Sequence, residues 1–378
     1  MTRFRALDGW RGVCALLVAA HHIEAHGWLY WQPLVRNAWL FVDFFFVLSG
    51  FVIAHAYGDR LRNGPEARTF VIRRLGRLWP LHVAVLLALI ALELAHLAIA
   101  QVHPLPGERL PFAAGRSPFA ILTNLFLVQA FGMHDYESWN GPAWSISVEF
   151  YTYLLFAAVC LATARRGPRL VICALVSLVG VLVLMRFSQY GMRETFHWPI
   201  FRCLYGFFLG VLTHEAWRAG AVRRLAGTLA ETGSLIAIVA FLTFVPGHRT
   251  LEYLATPLFA LAVLVFAGES GIVSRALVAR PAAALGRWSY SIYMVHTLAL
   301  AALFSAVHAL HPNWLIRTPD GLAILEFGHA GDDLAMLFVL AAVVALSAVT
   351  WRWIERPGQR FFGRLLTAKP LELKAETA

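Results

Sequence analysis

Residues 6–26 read ALDGWRGVCALLVAAHHIEAH, an apolar run interrupted by Arg11 near one end and by His21, His22 and His26 near the other. The run is about as long as a helix needs to cross a hydrocarbon core, roughly 20 residues. Its polar residues therefore decide what kind of membrane protein this is. Arg11 and His22 are separated by roughly 16 Å along a helix axis at 1.5 Å per residue. They cannot touch, so each needs its own partners. Successive helical residues turn by about 100°, so if His22 faces the other helices, His21 points elsewhere.

The whole chain fits that solvent. Mean hydropathy is +0.63, and charged residues make up 14% against roughly 25% in soluble domains. This is a polytopic membrane protein. A net charge of +10 suggests nucleic acid only until the basic residues are located: they sit in short loops between apolar runs, as membrane topology requires, and nucleic-acid binding is excluded. Cys14, Cys160, Cys173 and Cys203 all lie within apolar runs without C-x-x-C spacing, so neither a disulfide framework nor a metal site is indicated. Arg3 and Arg5 ahead of the first run resemble a signal peptide, but no small-residue cleavage site follows. The first run is read as an uncleaved span.

About ten spans can be placed, near 8–26, 37–57, 78–100, 142–164, 168–187, 198–217, 230–246, 250–268, 286–309 and 333–354, giving an all-α transmembrane helical bundle. Residues 118–132 are too short for a crossing between their Pro-rich and Trp/Asn/Gly-rich flanks, and are expected to form a re-entrant or interfacial helix. With the N-terminus inside, the inner segments hold the clusters Arg60 to Arg77, Arg165 to Arg169, Arg218 to Arg224, Arg275 to Arg287 and Arg356 to Lys374. The outer segments hold only Arg36, Arg109, Arg116, Arg193, Arg249 and Arg317. The asymmetry predicts N-in and C-in orientation, in a cell's inner (plasma) membrane. Residues 1–357 form one transmembrane domain, and 358–378 a loosely ordered cytoplasmic tail.

Ionisable groups at membrane depth are costly and mark functional candidates. Arg11 falls near the inner end of its span, where a snorkelling anchor is the plain alternative, and His22 near the outer end. Asp43 enters the second span, FVDFFFVLSGFVIAHAY, from the side of His22 and needs a partner; Ser49-Gly50 reads as helix packing. In FVIRRLGRLWPLH, Arg73, Arg74 and Arg77 lead into the third span, and Arg74 and Arg77 share one helix face. Paired guanidiniums suit phosphates, although a positive-inside anchor explains the same charges. Glu149, in NGPAWSISVEFYTYLLF, lies at a depth similar to His22 and Asp43, with a salt bridge to Arg202 as its structural alternative. Ser289, Tyr290, Ser291, Tyr293 and His296 give the ninth span a polar face that bonds between helices or lines a pathway, while Glu355 and Arg356 are placed at the interface. Trp28, Tyr30, Trp31, Trp39, Trp139 and Trp144 read as an aromatic belt before they read as sugar-stacking residues.

In this order the motifs resemble the acyltransferase-3 family of integral-membrane O-acyltransferases, which includes O-antigen acetylases. They are Arg11-x10-His22, VDFFFVLSGFVI, the R-x-x-R of Arg74 and Arg77, WSISVEF with Glu149, and SYSIYMVH. The resemblance spans nearly the whole chain, without the SGNH-type domain that some relatives append. It implies transfer of an acyl group, usually acetyl, from cytoplasmic acyl-CoA to a hydroxyl of a carbohydrate or other acceptor near the outer face. Acyl-CoA is a donor substrate, and no permanently bound cofactor is expected. His22 would match the family's catalytic histidine, Arg74 and Arg77, with Arg11 and Arg73 nearby, its acyl-CoA-associated arginines, and Glu149 its acidic residue. On this reading His22 is the general base and a carboxylate, Glu149 first and Asp43 second, fixes its tautomer; an acyl-histidine intermediate is the mechanistic alternative. A secondary transporter or permease using intramembrane His, Asp and Glu as a proton relay is the competing class.

Overall fold

Each of the ten apolar runs folds as a helix, because within lipid only intrasegment hydrogen bonding satisfies the backbone. The computed structural model describes residues 3–102, 110–221, 226–311, 314–317 and 323–366. In chain order the helices are α1 (Arg5–His21), α2 (Pro33–Arg36), α3 (Phe41–Tyr57), α4 (Gly64–Val102), α5 (Pro118–Leu125), α6 (Trp144–Ala162), α7 (Arg166–Phe187) and α8 (Pro199–Arg218). They continue as α9 (Thr228–Phe244), α10 (Arg249–Glu252), α11 (Ala255–Phe266), α12 (Ile272–Val278), α13 (Arg280–Leu310), α14 (Gly328–Thr350) and α15 (Arg356–Leu365). A two-stranded antiparallel ribbon, β1 (Leu315–Arg317) with β2 (Ala323–Leu325), pairs Ile316 with Ile324 between α13 and α14. Arg109, Lys369 and Lys374 of the loop-charge pattern, with Arg223 and Arg224, lie outside the described residues.

Among the described residues, 7 helices are long and apolar enough to cross a membrane: Ala38–Tyr57, Gly64–Val102, Gly141–Ala162, Arg166–Phe187, Arg249–Phe266, Arg280–Leu310 and Gly328–Leu365. The three other expected spans coincide with α1 and α9, 17 residues each, and with the 20-residue α8, whose Arg202, Glu215 and Arg218 lower its hydropathy. The first span is shorter than expected, since α1 stops at His21 and leaves residues 22–26 in a turn. α5 has eight residues, about 12 Å, too short to cross, and Ser117 caps its start by accepting from the Ala120 N–H.

The distribution of polarity is that of a lipid-solvated bundle. On α7, Val171, Leu175, Leu178, Leu182 and Met185 form an exposed apolar stripe. Inside, Asp43, Glu93, Glu194, Arg202, Glu231, Glu252 and Glu355 are buried. Lipid outside spares the apolar stripe from water, and inside Asp43, Glu93 and Glu355 are offset by ion pairs and Glu194, Glu231 and Glu252 by hydrogen bonds.

Close crossings position the site. α1 packs along α13 where Gly12 meets Gly286, and α3 packs along α8 where a β-carbon at Gly50 would collide with the Phe207 carbonyl and one at Gly210 with that of Val47. Small residues at such points let backbones approach, so Gly50 packs as expected, whereas Ser49 meets Tyr153 Oη at 2.9 Å. Residues 351–355 form a widened π-turn between α14 and α15. The segment expected to be loose from residue 358 begins as ordered helix: α15 lies on α4, with Gly358 against Pro80 and Phe362 against Gly76 and Trp79. Pro80 sits inside α4, and because its ring lacks an N–H the helix loses a bond there.

Candidate active site

The α1–α13 crossing fixes Arg11. Its Nε–H donates to Ser289 Oγ at 2.9 Å and an Nη–H to the Gly286 carbonyl at 3.2 Å, with Asp8 at 3.3 Å. From there the guanidinium lines a cavity of about 140 Å³ together with Arg74, Arg77, Ser49, Glu149, Tyr153, Ser289, Tyr290 and Tyr293. Five helices, α1, α3, α4, α6 and α13, thus bring Arg11, Arg74 and Arg77 to one space, as their grouping in the sequence suggested.

The three guanidiniums are not equivalent. Arg77 pairs with Glu355, which is 1% exposed and also accepts from Ser291 Oγ at 2.8 Å. Glu355 is therefore a buried partner rather than the interfacial residue expected, and the π-turn that ends on it aims it inward. Arg74 lies 5.5 Å from the Tyr57 ring, its Nε is buried without a hydrogen-bond partner, and among the described residues no carboxylate pairs with it. Arg73 is exposed and borders a separate open cavity of about 450 Å³ with Tyr57, Arg60 and Arg62, where Asp59 and Glu66 also stand. Tyr57 is common to this basic vestibule and to the Arg74 contact.

His22 lines a different cavity, of about 200 Å³, with His21, Trp39, Val42, Glu137, Trp144, Arg193, Thr195, Arg202 and Tyr293. His22 Nδ1 is 2.8 Å from the Val18 carbonyl. A carbonyl only accepts, so Nδ1 carries the proton and Nε2 keeps its lone pair. The ring stands 4.8 Å from that of His296, whose Nδ1 likewise meets the Ile292 carbonyl and whose Nε2 is buried without a partner. His21 does not point away, as the helical turn suggested: α1 has ended, and its ring lies 5.2 Å from that of His22 in the same cavity.

Neither expected carboxylate meets His22. Asp43 is fully buried and takes both bonds from Arg202, Nε at 2.9 Å and Nη2 at 2.7 Å. The salt bridge foreseen for Arg202 thus forms with Asp43 instead of Glu149. Glu149 lies in the arginine cavity, accepting from Tyr153 Oη at 2.6 Å, and Tyr153 Oη is 2.9 Å from Ser49 Oγ. The reason is depth: Glu149 sits five residues into α6, about 7.5 Å along the axis from Trp144, and Trp144 is the α6 residue that faces His22. The Glu149–Tyr153 spacing of i, i+4 was visible in EFYTY; the Glu355 contact had no local signal.

Trp39 and Trp144, read as belt residues, are walls of the histidine cavity. The Arg193 guanidinium lies 4.6 Å from the Trp39 ring, and Arg202 lies 5.6 Å from Trp39 and 5.1 Å from Trp144. Trp39 Nε1 and His21 Nδ1 are buried without hydrogen-bond partners.

Comparison with known proteins agrees with this framework. The acyltransferase-3 family model, described as an acyltransferase domain, matches residues 4–354. The acyltransferase MdmB of Streptomyces mycarofaciens is 26% identical over 96% of this chain and 94% of its own length. The peptidoglycan O-acetyltransferase OatA of Listeria monocytogenes is 24% identical over 93% of this chain, which spans 55% of that relative. Protein 2 in the picA locus of Rhizobium radiobacter is 34% identical over 41% of this chain and 81% of its own length. No solved structure matches the chain. With nearly its whole length matched by the family model, this multi-pass membrane protein belongs to the acyltransferase-3 family.

Proposed function

We propose that the protein is an acyl-CoA-dependent O-acyltransferase of the inner membrane, crossing it ten times with both termini inside, and that His22 is its general base. The observation that carries this reading is the pair of cavities: a three-arginine space and a histidine space that share only Val42 and Tyr293 as lining residues. The donor's nucleotide and phosphates occupy the basic vestibule of Arg60, Arg62 and Arg73, and the pantetheine arm runs past Arg74 into the arginine cavity. Arg74, with no carboxylate partner among the described residues, is the guanidinium freest to meet a phosphate. The thioester then stands at the wall that faces His22.

The acceptor hydroxyl binds in the histidine cavity, whose two tryptophans, Arg193 and Glu137 suit a polyhydroxylated ligand. His22 Nε2 takes the hydroxyl proton as the oxygen attacks the thioester carbonyl. The tetrahedral intermediate collapses, the C–S bond breaks, and the thiolate takes the proton back, leaving the ester and free CoA. The Val18 carbonyl does what a triad carboxylate does for the tautomer, and His296 packs the ring in place. Glu149 and Tyr153 act on the donor side of the wall. Acetyl is the proposed acyl group, supported by the O-acetyltransferase relative, and a carbohydrate the proposed acceptor class.

Free-thiol release by purified protein given acetyl-CoA and envelope glycan extract tests the reading. Release that is lost in His22→Ala, with acetyl-CoA binding retained, is expected. Near-normal release from that variant would remove His22 from catalysis. Movement of a solute across sealed vesicles with no CoA released would assign the permease class instead. Labelled enzyme trapped with radiolabelled acetyl-CoA and no acceptor would favour the acyl-histidine route over direct attack.

A further inference from the structure

The two cavities have two lining side chains in common. Val42, in the first turn of α3, and Tyr293, midway along α13, are the residues that line both, and each is almost wholly buried. Tyr293 is held on every side. Its hydroxyl donates to the Pro142 carbonyl at 3.0 Å and lies 2.8 Å from Ser145 Oγ. Phe45 packs edge-on against its ring at 5.8 Å, and His296 stands 6.1 Å away. A tyrosine tied at its hydroxyl and clamped at its ring swings little, so the free dimension of the opening is set by what faces it. The other side chain that lines both cavities is Val42, whose β-branched side chain has few rotamers to retreat into.

We infer that Val42 and Tyr293 form a fixed constriction that selects the length of the acyl group admitted from the arginine cavity to His22. The inference rests on the proposed path from donor to histidine. An acyl group crosses the wall only as far as its carbonyl carbon must reach the acceptor oxygen, so its chain has to lie within the opening or fold back into the arginine cavity. Each added methylene then meets Val42 or the Tyr293 ring. A methylene accommodated or refused by an apolar pocket changes specificity by about tenfold or more.

Membrane vesicles from cells carrying each variant, with the His22→Ala signal subtracted, are given acetyl-, propionyl- and butyryl-CoA in turn, and CoA release is measured. Val42→Ala widens the opening and is expected to raise the butyryl-to-acetyl ratio of kcat/KM about tenfold. Val42→Ile narrows it and is expected to lower the propionyl-to-acetyl ratio by a similar factor. The opposite signs separate selection from a general loss of folding, which would depress all three donors together. Tyr293→Phe, which frees the ring from Pro142 and Ser145, is expected to relax the ratio in the direction of Val42→Ala. Unchanged ratios in variants that still transfer acetyl would overturn the constriction while leaving the acyltransferase reading intact. A wild-type protein that releases no CoA from any donor would instead overturn the reading beneath it.

Discussion

Removing the Asp43 carboxylate strands the Arg202 guanidinium, which is 2% exposed and donates its two shortest hydrogen bonds to that group. Asp43→Asn is therefore expected to cost about 3–5 kcal/mol, seen as a lowered Tm in detergent. The double variant Asp43→Leu with Arg202→Met should recover most of the loss, since an apolar pair needs no compensation; equal losses in single and double variants would refute the argument. Arg74 and Arg77 look interchangeable in RRLGRLWP, yet their surroundings divide them. Arg77→Ala leaves Glu355 buried and unpaired, so Tm should fall. Arg74→Ala removes a guanidinium that pairs with no carboxylate among the described residues, so KM for acyl-CoA should rise at nearly constant Tm. Equal behaviour of the two in both measurements would contradict this assignment. The sequence supplied the residue types and their order; it could not supply partners brought from distant helices, which is why Asp43 and Glu149 were assigned to His22 and Glu355 to the interface.

Single helices were easier to read than their contacts. Unbroken apolar runs fixed where α3, α6 and α7 lie, because hydropathy reports burial in lipid directly. The ends were less secure: α1 stops at His21, and α15 orders a stretch rich in arginine because Phe362 has α4 to pack on. Depth was the main source of error. A displacement of five residues along α6 moved Glu149 from the histidine cavity to the arginine one, and the widened turn at residues 351–355 redirected Glu355 inward. Where helices cross closely the expected effects are large. Gly50→Val and Gly210→Val each place a side chain against a facing carbonyl, and overpacking of this kind costs about 1–3 kcal/mol or more. Both variants should shift to aggregated material in size-exclusion chromatography, whereas Gly167→Ala, where a β-carbon meets nothing within 4 Å, should elute as wild type.

The bundle as a whole carries buried charges inside and apolar stripes outside, and the proposed direction rests on its loop arginines. Single cysteines offer a test of that direction, because the four native cysteines are buried. With the N-terminus inside, Arg62→Cys should react with an impermeant maleimide only after the membrane is opened, and Trp31→Cys in intact cells; the reverse pattern would invert the topology. On the proposed reading, donor and acceptor enter from opposite faces, and a rigid shift of α1 would open or close the way to His22. His22 is insulated from such motion. Its orienting acceptor, the Val18 carbonyl, belongs to the same helix one turn back, so any rigid displacement carries base and acceptor together. Access to the histidine can thus be opened or closed mechanically while its protonation chemistry stays constant, a separation that a carboxylate borrowed from α3 or α6 would not allow.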